Sequence, residues 1–189
     1  MSRPRIFFAF ALAALFSGGW DERPAGRELA DAGFGQADID ALFDGATQVF
    51  EAALQQSRDT ARQGGTKPVP PSIRAALKGF YDDDTLNRAS FVIGDPAAVN
   101  VATLALSYGD AVAVTLIDTV VFKNADDANT NAVLWAHELR HIQQFRDWGL
   151  HGFATRYLRS WNDVENEAYG KADEFVRWRE RRTHAQSPP

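Results

Sequence analysis

Apolar residues recur at steps of three and four along one early stretch: Ile39, Leu42, Phe43, Ala46, Val49, Phe50, Ala53 and Leu54. That period places them on one face and predicts a long amphipathic helix over 37–62. The preceding residues 20–36 mix Gly, Pro and charge and read as a loose lead-in. The Gly and Pro content of "QGGTKPVPPS" (63–72) predicts a loop, and Ser72 is a candidate cap for a short helix through Ala75, Leu77 and Phe80. The middle of the chain changes character. "ASFVIGD" (89–95), "VATLALSYG" (101–109) and "AVAVTLIDTVVF" (111–122) are β-branched runs punctuated by Gly, Pro and Asp, and predict two to four short strands paired antiparallel. "KNADDANTN" (123–131) reads as a polar turn, in which Asn129, Thr130 or Asn131 can cap the helix that follows. That helix is "AVLWAHELRHIQQFRDW", with Gly149 at its stop position. After "HGFATRYLRSW" (151–161), a last helix is expected from about Asn162 to Arg182, then a frayed tail over 183–189. The fold class predicted is α+β, mainly helical, with a small antiparallel sheet beside the helix at 132–148.

The N-terminus adds a separate signal. Arg3 and Arg5 precede an uninterrupted apolar run, Ile6 to Phe16, and small residues Ser17, Gly18 and Gly19 follow. This is the grammar of a secretory signal peptide over 1–19. An apolar run this short does not span a bilayer comfortably, so no stable membrane span is expected after cleavage. A periplasmic or secreted location follows as the expectation. The chain has no cysteine, so neither a lipid-attachment cysteine nor a disulfide framework is available.

The expected domain plan is then a signal peptide at 1–19, an N-terminal helical segment and linker at 20–67, a main domain at 68–182 and the tail. The helix at 37–62 is expected to form one globular unit with that domain, since 189 residues make one ordinary core. Net charge is −5, and no basic stripe is concentrated along the chain, which argues against a nucleic-acid partner. The cluster "RWRERR" (177–182) is a cationic helix end that suits the helix dipole.

Two of the four histidines lie in the helix at 132–148, four residues apart. On a helix His137 and His141 are about 40° apart around the axis and one turn along it, so both imidazoles can face one metal ion. Glu138, beside the first of them, can reach a water on that metal without ligating it. Zinc makes its bound water more acidic, and a carboxylate can take the proton as the water attacks a carbonyl. Glu138 is therefore the candidate general base of an H-E-x-x-H site. The flanks Val133, Leu134, Ala136 and Ile142 are apolar, so the helix runs through a core, where buried polar groups need partners.

A catalytic zinc needs a third protein ligand and an open position. Asp147 lies on the same helix but points about 80° away from His137. Glu165 and Glu167 lie on the last helix. Glu165 shares its face with Tyr169, Ala172 and Val176, as a helix packed on the site helix should. Glu167 shares its face with Gly170, Lys171 and Glu174, which reads as solvent-facing, with Lys171 as an ordinary i+4 partner. Glu165 is the expected ligand. Arg140 faces away from the histidines and is expected to pair with an acid on a neighbouring element.

His137-Glu138-x-x-His141 followed by Glu165-x-Glu167-Ala168 resembles the gluzincin arrangement. More closely, "NAVLWAHELRHIQQFRDWG" resembles the zincin-like core domain of proteins associated with bacterial extracellular contractile injection systems. "PVPPSIRAALKGFY" and "AVTLIDTVVF" resemble that family's proline-rich start and strand pair, so the likeness spans about residues 68–176. It implies a zincin-like fold, Zn²⁺ as cofactor, His137, His141 and Glu165 as ligands, and a peptide or protein substrate. The family's E-x-E-A-D pattern carries Tyr169 here in place of the aspartate, which usually supports the site from behind. Tyr157, Tyr169 and His151 are candidates for the donor that a developing oxyanion requires. The function expected is an exported zinc metallopeptidase. The alternative is a zinc-stabilised, catalytically weak or inactive binding module linked to secretion or the cell envelope.

Overall fold

The computed structural model describes residues 30–31, 33–94 and 112–186, with side chains through Thr183. The signal peptide expected at 1–19 and the strand expected at 101–109 lie outside these residues. Helix α1 (Gln36–Arg62) forms where the periodicity predicts it. Its buried stripe is Ile39, Phe43, Thr47, Phe50, Leu54 and Ser57. Leu42 and Val49, expected on that face, are exposed.

β1 (Lys67–Pro68) follows, then α2 (Pro71–Leu77). Pro71, not Ser72, opens α2: its fixed φ suits the first helical position, and its missing N–H is not needed there. The Ser72 hydroxyl instead donates to the Asn129 carbonyl, 3.1 Å away. α3 (Asp83–Arg88) begins behind Asp82, whose carboxylate accepts from the Thr85 N–H at 2.6 Å. β2 (Ser90–Ile93), β3 (Ala113–Leu116) and β4 (Thr119–Phe122) complete the sheet. The stretch expected as a polar turn contains a further helix, α4 (Ala125–Thr130), capped by Asn124 through the Asp127 N–H. Asn131 then caps the next helix, its side chain accepting from the Leu134 N–H. Helical residues run from Ala132 to Gln186, broken at Gly149 and Ser160 into α5 (132–148), α6 (150–159) and α7 (161–186). Gly149 takes φ 71°, the left-handed conformation that ends a helix at little cost to glycine. α7 runs past the start expected for the tail.

The sheet order is β1-β2-β4-β3. Among the described strands β1/β2 and β3/β4 are antiparallel, whereas β2/β4 are parallel, so the sheet is mixed rather than wholly antiparallel. The class is α+β, mainly helical. One sheet face, with Phe91, Val120 and Phe122, packs under Trp135 and Leu139 of α5. The other, with Val114, Leu116 and Val121, packs with Phe50 and Leu54 of α1 and with Phe145, Phe153 and Tyr157. Trp135 is fully buried, stands 4.9 Å from the Phe122 ring, and donates its indole N–H to the Ala128 carbonyl. These contacts hold α5 across the sheet. No helix among the described residues is long and apolar enough to cross a membrane.

The β3–β4 turn is Ile117–Asp118, and Ile117 carries φ 62°. A β-branched residue there is strained. The turn is held from α1: Arg58 donates two bonds of 2.6 Å to Asp118, and Arg62 approaches at 3.4 Å. Burial raises the pKa of the Asp118 carboxyl, but these guanidinium contacts outweigh it and hold the group below the usual carboxylate range. The stabilisation is present above the unfolded-state pKa of about 3.9 and fades as pH falls through the lower folded value. Arg58→Ala is expected to lower stability by about 1–2 kcal/mol at neutral pH, since the lost pair is bidentate and only partly solvated. Thermal unfolding at pH 7 and pH 3 checks this, with the difference from wild type expected to shrink at pH 3.

Candidate metal centre

His137, His141 and Glu165 come together in a buried group that could hold a metal ion. The capped start of α5 and its packing on the sheet set the phase that turns both histidines inward, and Glu165 arrives from α7. The Nε2 atoms of His137 and His141 are 3.1 Å apart. Glu165 Oε2 lies 3.4 Å from the first and 3.6 Å from the second, ionic contacts rather than well-formed hydrogen bonds. Donors on one tetrahedral ion with bonds of about 2.0–2.1 Å would be about 3.3 Å apart, so this triangle has the size such an ion requires.

Three buried polar atoms here lack a hydrogen-bond partner: His137 Nδ1, Glu138 Oε1 and Glu165 Oε2. Buried polar atoms are normally satisfied, and the unpaired Glu138 Oε1 and Glu165 Oε2, on residues that line one pocket, suit a site that receives something. The electrostatics agree. Burial opposes a charge on His141, yet the adjacent Glu165 carboxylate outweighs it and lifts the imidazole to about 9. Burial likewise opposes the Glu165 charge, but His141 and the contacts with both imidazoles hold the carboxyl far below its usual range.

Glu138 is 1% exposed. Its Oε2 accepts from the Thr115 hydroxyl of β3 at 2.7 Å, leaving Oε1 unpaired. A pocket opens beside these groups. Ala113, Val114 and Thr115 of β3 form one wall, and Phe50 and Leu54 of α1 another. Phe153 and Tyr157 of α6 close it towards Glu165.

The remaining sequence candidates are placed as follows. The Tyr157 hydroxyl lines the pocket and donates to Glu165 Oε1 at 3.1 Å. Tyr169 packs its ring 4.5 Å from that of His137. His151 is exposed and pairs with Glu51 at 2.6 Å, away from the site. Asp147 is exposed and holds Arg146. Glu167 is half-exposed but does not pair with Lys171. It accepts from Arg140 at 2.8 Å and Gln144 at 3.2 Å, while Lys171 pairs with Glu174. Arg140 thus meets an acid of a neighbouring element, as expected.

Three contributions escaped the sequence reading: Thr115, Gln144, and the α1 wall of Phe50 and Leu54. Thr115 is a polar residue in an apolar strand, and Gln144 lies three residues after His141. Both signals were visible in "AVAVTLID" and "HIQQ".

Residues 68–149 match the family model of the eCIS core domain. The match begins at the proline expected to open the main domain and ends at the glycine that breaks α5 from α6. The matched segment contains β2, β3, β4, His137, Glu138 and His141. Glu165, Tyr157 and α1 lie outside it. No curated protein and no solved structure matches the chain.

Proposed function

We propose that this chain is an exported zinc-dependent hydrolase of peptide bonds, a metallopeptidase acting in the periplasm or after secretion. The observation that carries the reading is Glu138, its Oε1 without a partner, lining a pocket beside two imidazoles and a carboxylate spaced for one ion. His137, His141 and Glu165 would hold the metal. When bound, it supplies Lewis acidity, polarising a carbonyl and making water a better nucleophile. Glu138 Oε1 takes the proton from the attacking water and returns it to the leaving amine. Thr115 keeps Oε2 occupied, so the proton moves through Oε1. Tyr157 gives its one hydroxyl hydrogen to Glu165 Oε1, and turned from that oxygen it would serve as the donor for a developing oxyanion. Among the described strands β3 lies at the sheet edge, and an extended peptide could pair with it as an added strand, its apolar side chains meeting Phe50, Leu54 and Phe153.

Supporting this reading are the buried donor triangle and the eCIS core match, which also suggests a module linked to a secretion system. One observation favours the alternative, a zinc-stabilised binding module with little catalysis: Tyr169 stands where the resembling pattern has an aspartate. The test is hydrolysis of a mixed peptide library by the chain from residue 20, reconstituted with zinc, with and without chelator. Chelator-sensitive cleavage is the result expected. Uptake of about one zinc without cleavage of any peptide would favour the binding module.

A further inference from the structure

Gln144 is 0% exposed, and every polar atom of its side chain has a partner. Its Nε2 donates to the Val164 carbonyl at 3.0 Å and to Glu167 Oε2 at 3.2 Å. Both are acceptors only, so the orientation of the amide is settled by its surroundings. Its Oε1 therefore faces His141 Nδ1, 2.8 Å away. An amide oxygen cannot donate, so Nδ1 must carry the hydrogen. In the neutral imidazole the lone pair is then on Nε2, the atom that faces His137 Nε2 and Glu165 Oε2. The other imidazole has no such partner, since His137 Nδ1 is an orphan. The second arm of Gln144 matters as much. Val164 is the residue before Glu165, so the amide ties the backbone carrying the third donor to the side chain of the second. Arg140 braces the arrangement from outside through Glu167.

We infer that Gln144 is the positioning residue of the metal group, presenting His141 through Nε2 and setting the spacing between α5 and α7 at the ion. This rests on the metal-site reading above. Partners behind metal-bound imidazoles are commonly carboxylates or backbone carbonyls, and losing one costs about 10–100-fold in metal affinity. Here a neutral amide does both jobs, bonding an imidazole and a backbone carbonyl.

The experiment is cobalt(II) and zinc titration of wild type, Gln144→Met and Gln144→Glu, against a chromophoric chelator, with the cobalt absorption spectrum and metal-free thermal unfolding recorded alongside. Gln144→Met is expected to keep the fold, bind zinc about 10–100-fold more weakly and show an altered cobalt spectrum. Gln144→Glu retains an acceptor for His141 but cannot donate to the Val164 carbonyl or to Glu167, so it is expected to bind zinc more weakly than wild type and more tightly than Gln144→Met, and its metal-free form to unfold at lower temperature. Wild-type affinity and spectrum in Gln144→Met would overturn the inference and leave the metal site standing. Should that variant not fold, Gln144→Glu decides, and wild-type affinity with a wild-type cobalt spectrum there would overturn it, since the bond to the Val164 carbonyl is lost. A wild-type chain that binds neither metal would overturn both the inference and the reading beneath it.

Discussion

Glu138→Gln is expected to bind about one zinc per chain, as the wild type does, and to lose peptide hydrolysis by about 10²–10⁴-fold, the range general-base groups supply. The substitution changes no volume, which matters at a residue 1% exposed inside a packed helix. Metal uptake should survive because Glu138 is not among the three converging donors. Folding should survive as well. The Thr115 hydroxyl lies 2.7 Å from Oε2 and can donate to the amide oxygen of a glutamine, or accept from its nitrogen and donate to the Glu138 carbonyl at 3.2 Å. What the amide cannot do is take a proton. Wild-type hydrolysis by this variant would move the base elsewhere and sink the mechanism. Loss of zinc together with activity would instead make Glu138 part of the metal site. Steady-state cleavage and metal content, measured on the same preparation, separate these results.

Much of this centre was legible because one helix carries most of it. The 3.6-residue period, Asn131 at the start of α5 and Gly149 at its stop locate that helix and place His137 and His141 on one side. The choice of Glu165 over Glu167 also needed only helical phase, since the two are separated by two residues on a helix whose apolar side is evident. Their burial follows that phase: Glu165 is 4% exposed, and Glu167 faces Arg140 at the surface.

What was hidden depends on partners far away in sequence. Thr115 meets Glu138 only because β3 pairs with β4 and the sheet lies under α5, a placement that local pattern does not encode. The parallel pairing of β2 with β4 was missed for a related reason. Strands close in sequence are read as hairpins, yet among the described strands β2 pairs in parallel with β4 and β3 pairs with β4. The short helices α3 and α4 open with Asp- and Asn-rich runs, and the same residues serve turns and helix caps. Only the following residues decide which. For α1, the exposed Leu42 and Val49 show the limit of a periodicity argument: it gave the helix, but the width of the buried stripe depends on how closely the sheet edge approaches.

Paired substitution of the two glutamates should produce the sharpest contrast in metal binding. Glu165→Ala is expected to lose zinc by more than about 100-fold in affinity, since it removes a ligand rather than a supporting group. It also leaves two imidazoles 3.1 Å apart without the carboxylate that lies against both. Glu167→Ala is expected to bind zinc nearly as well as wild type. Its carboxylate braces Gln144 from outside, but Gln144 keeps its bonds to His141 and to the Val164 carbonyl. Thermal unfolding gives an independent readout, because a ligand that binds only the folded state stabilises it by about 2.7 kcal/mol at a hundred times its dissociation constant. Zinc should therefore raise the melting temperature of wild type and Glu167→Ala and leave that of Glu165→Ala unchanged. The reverse pattern, with zinc retained by Glu165→Ala and lost by Glu167→Ala, would mean that the helical phase of α7 at the site differs from the one described. The triangle of donors would then have to be rebuilt around Glu167.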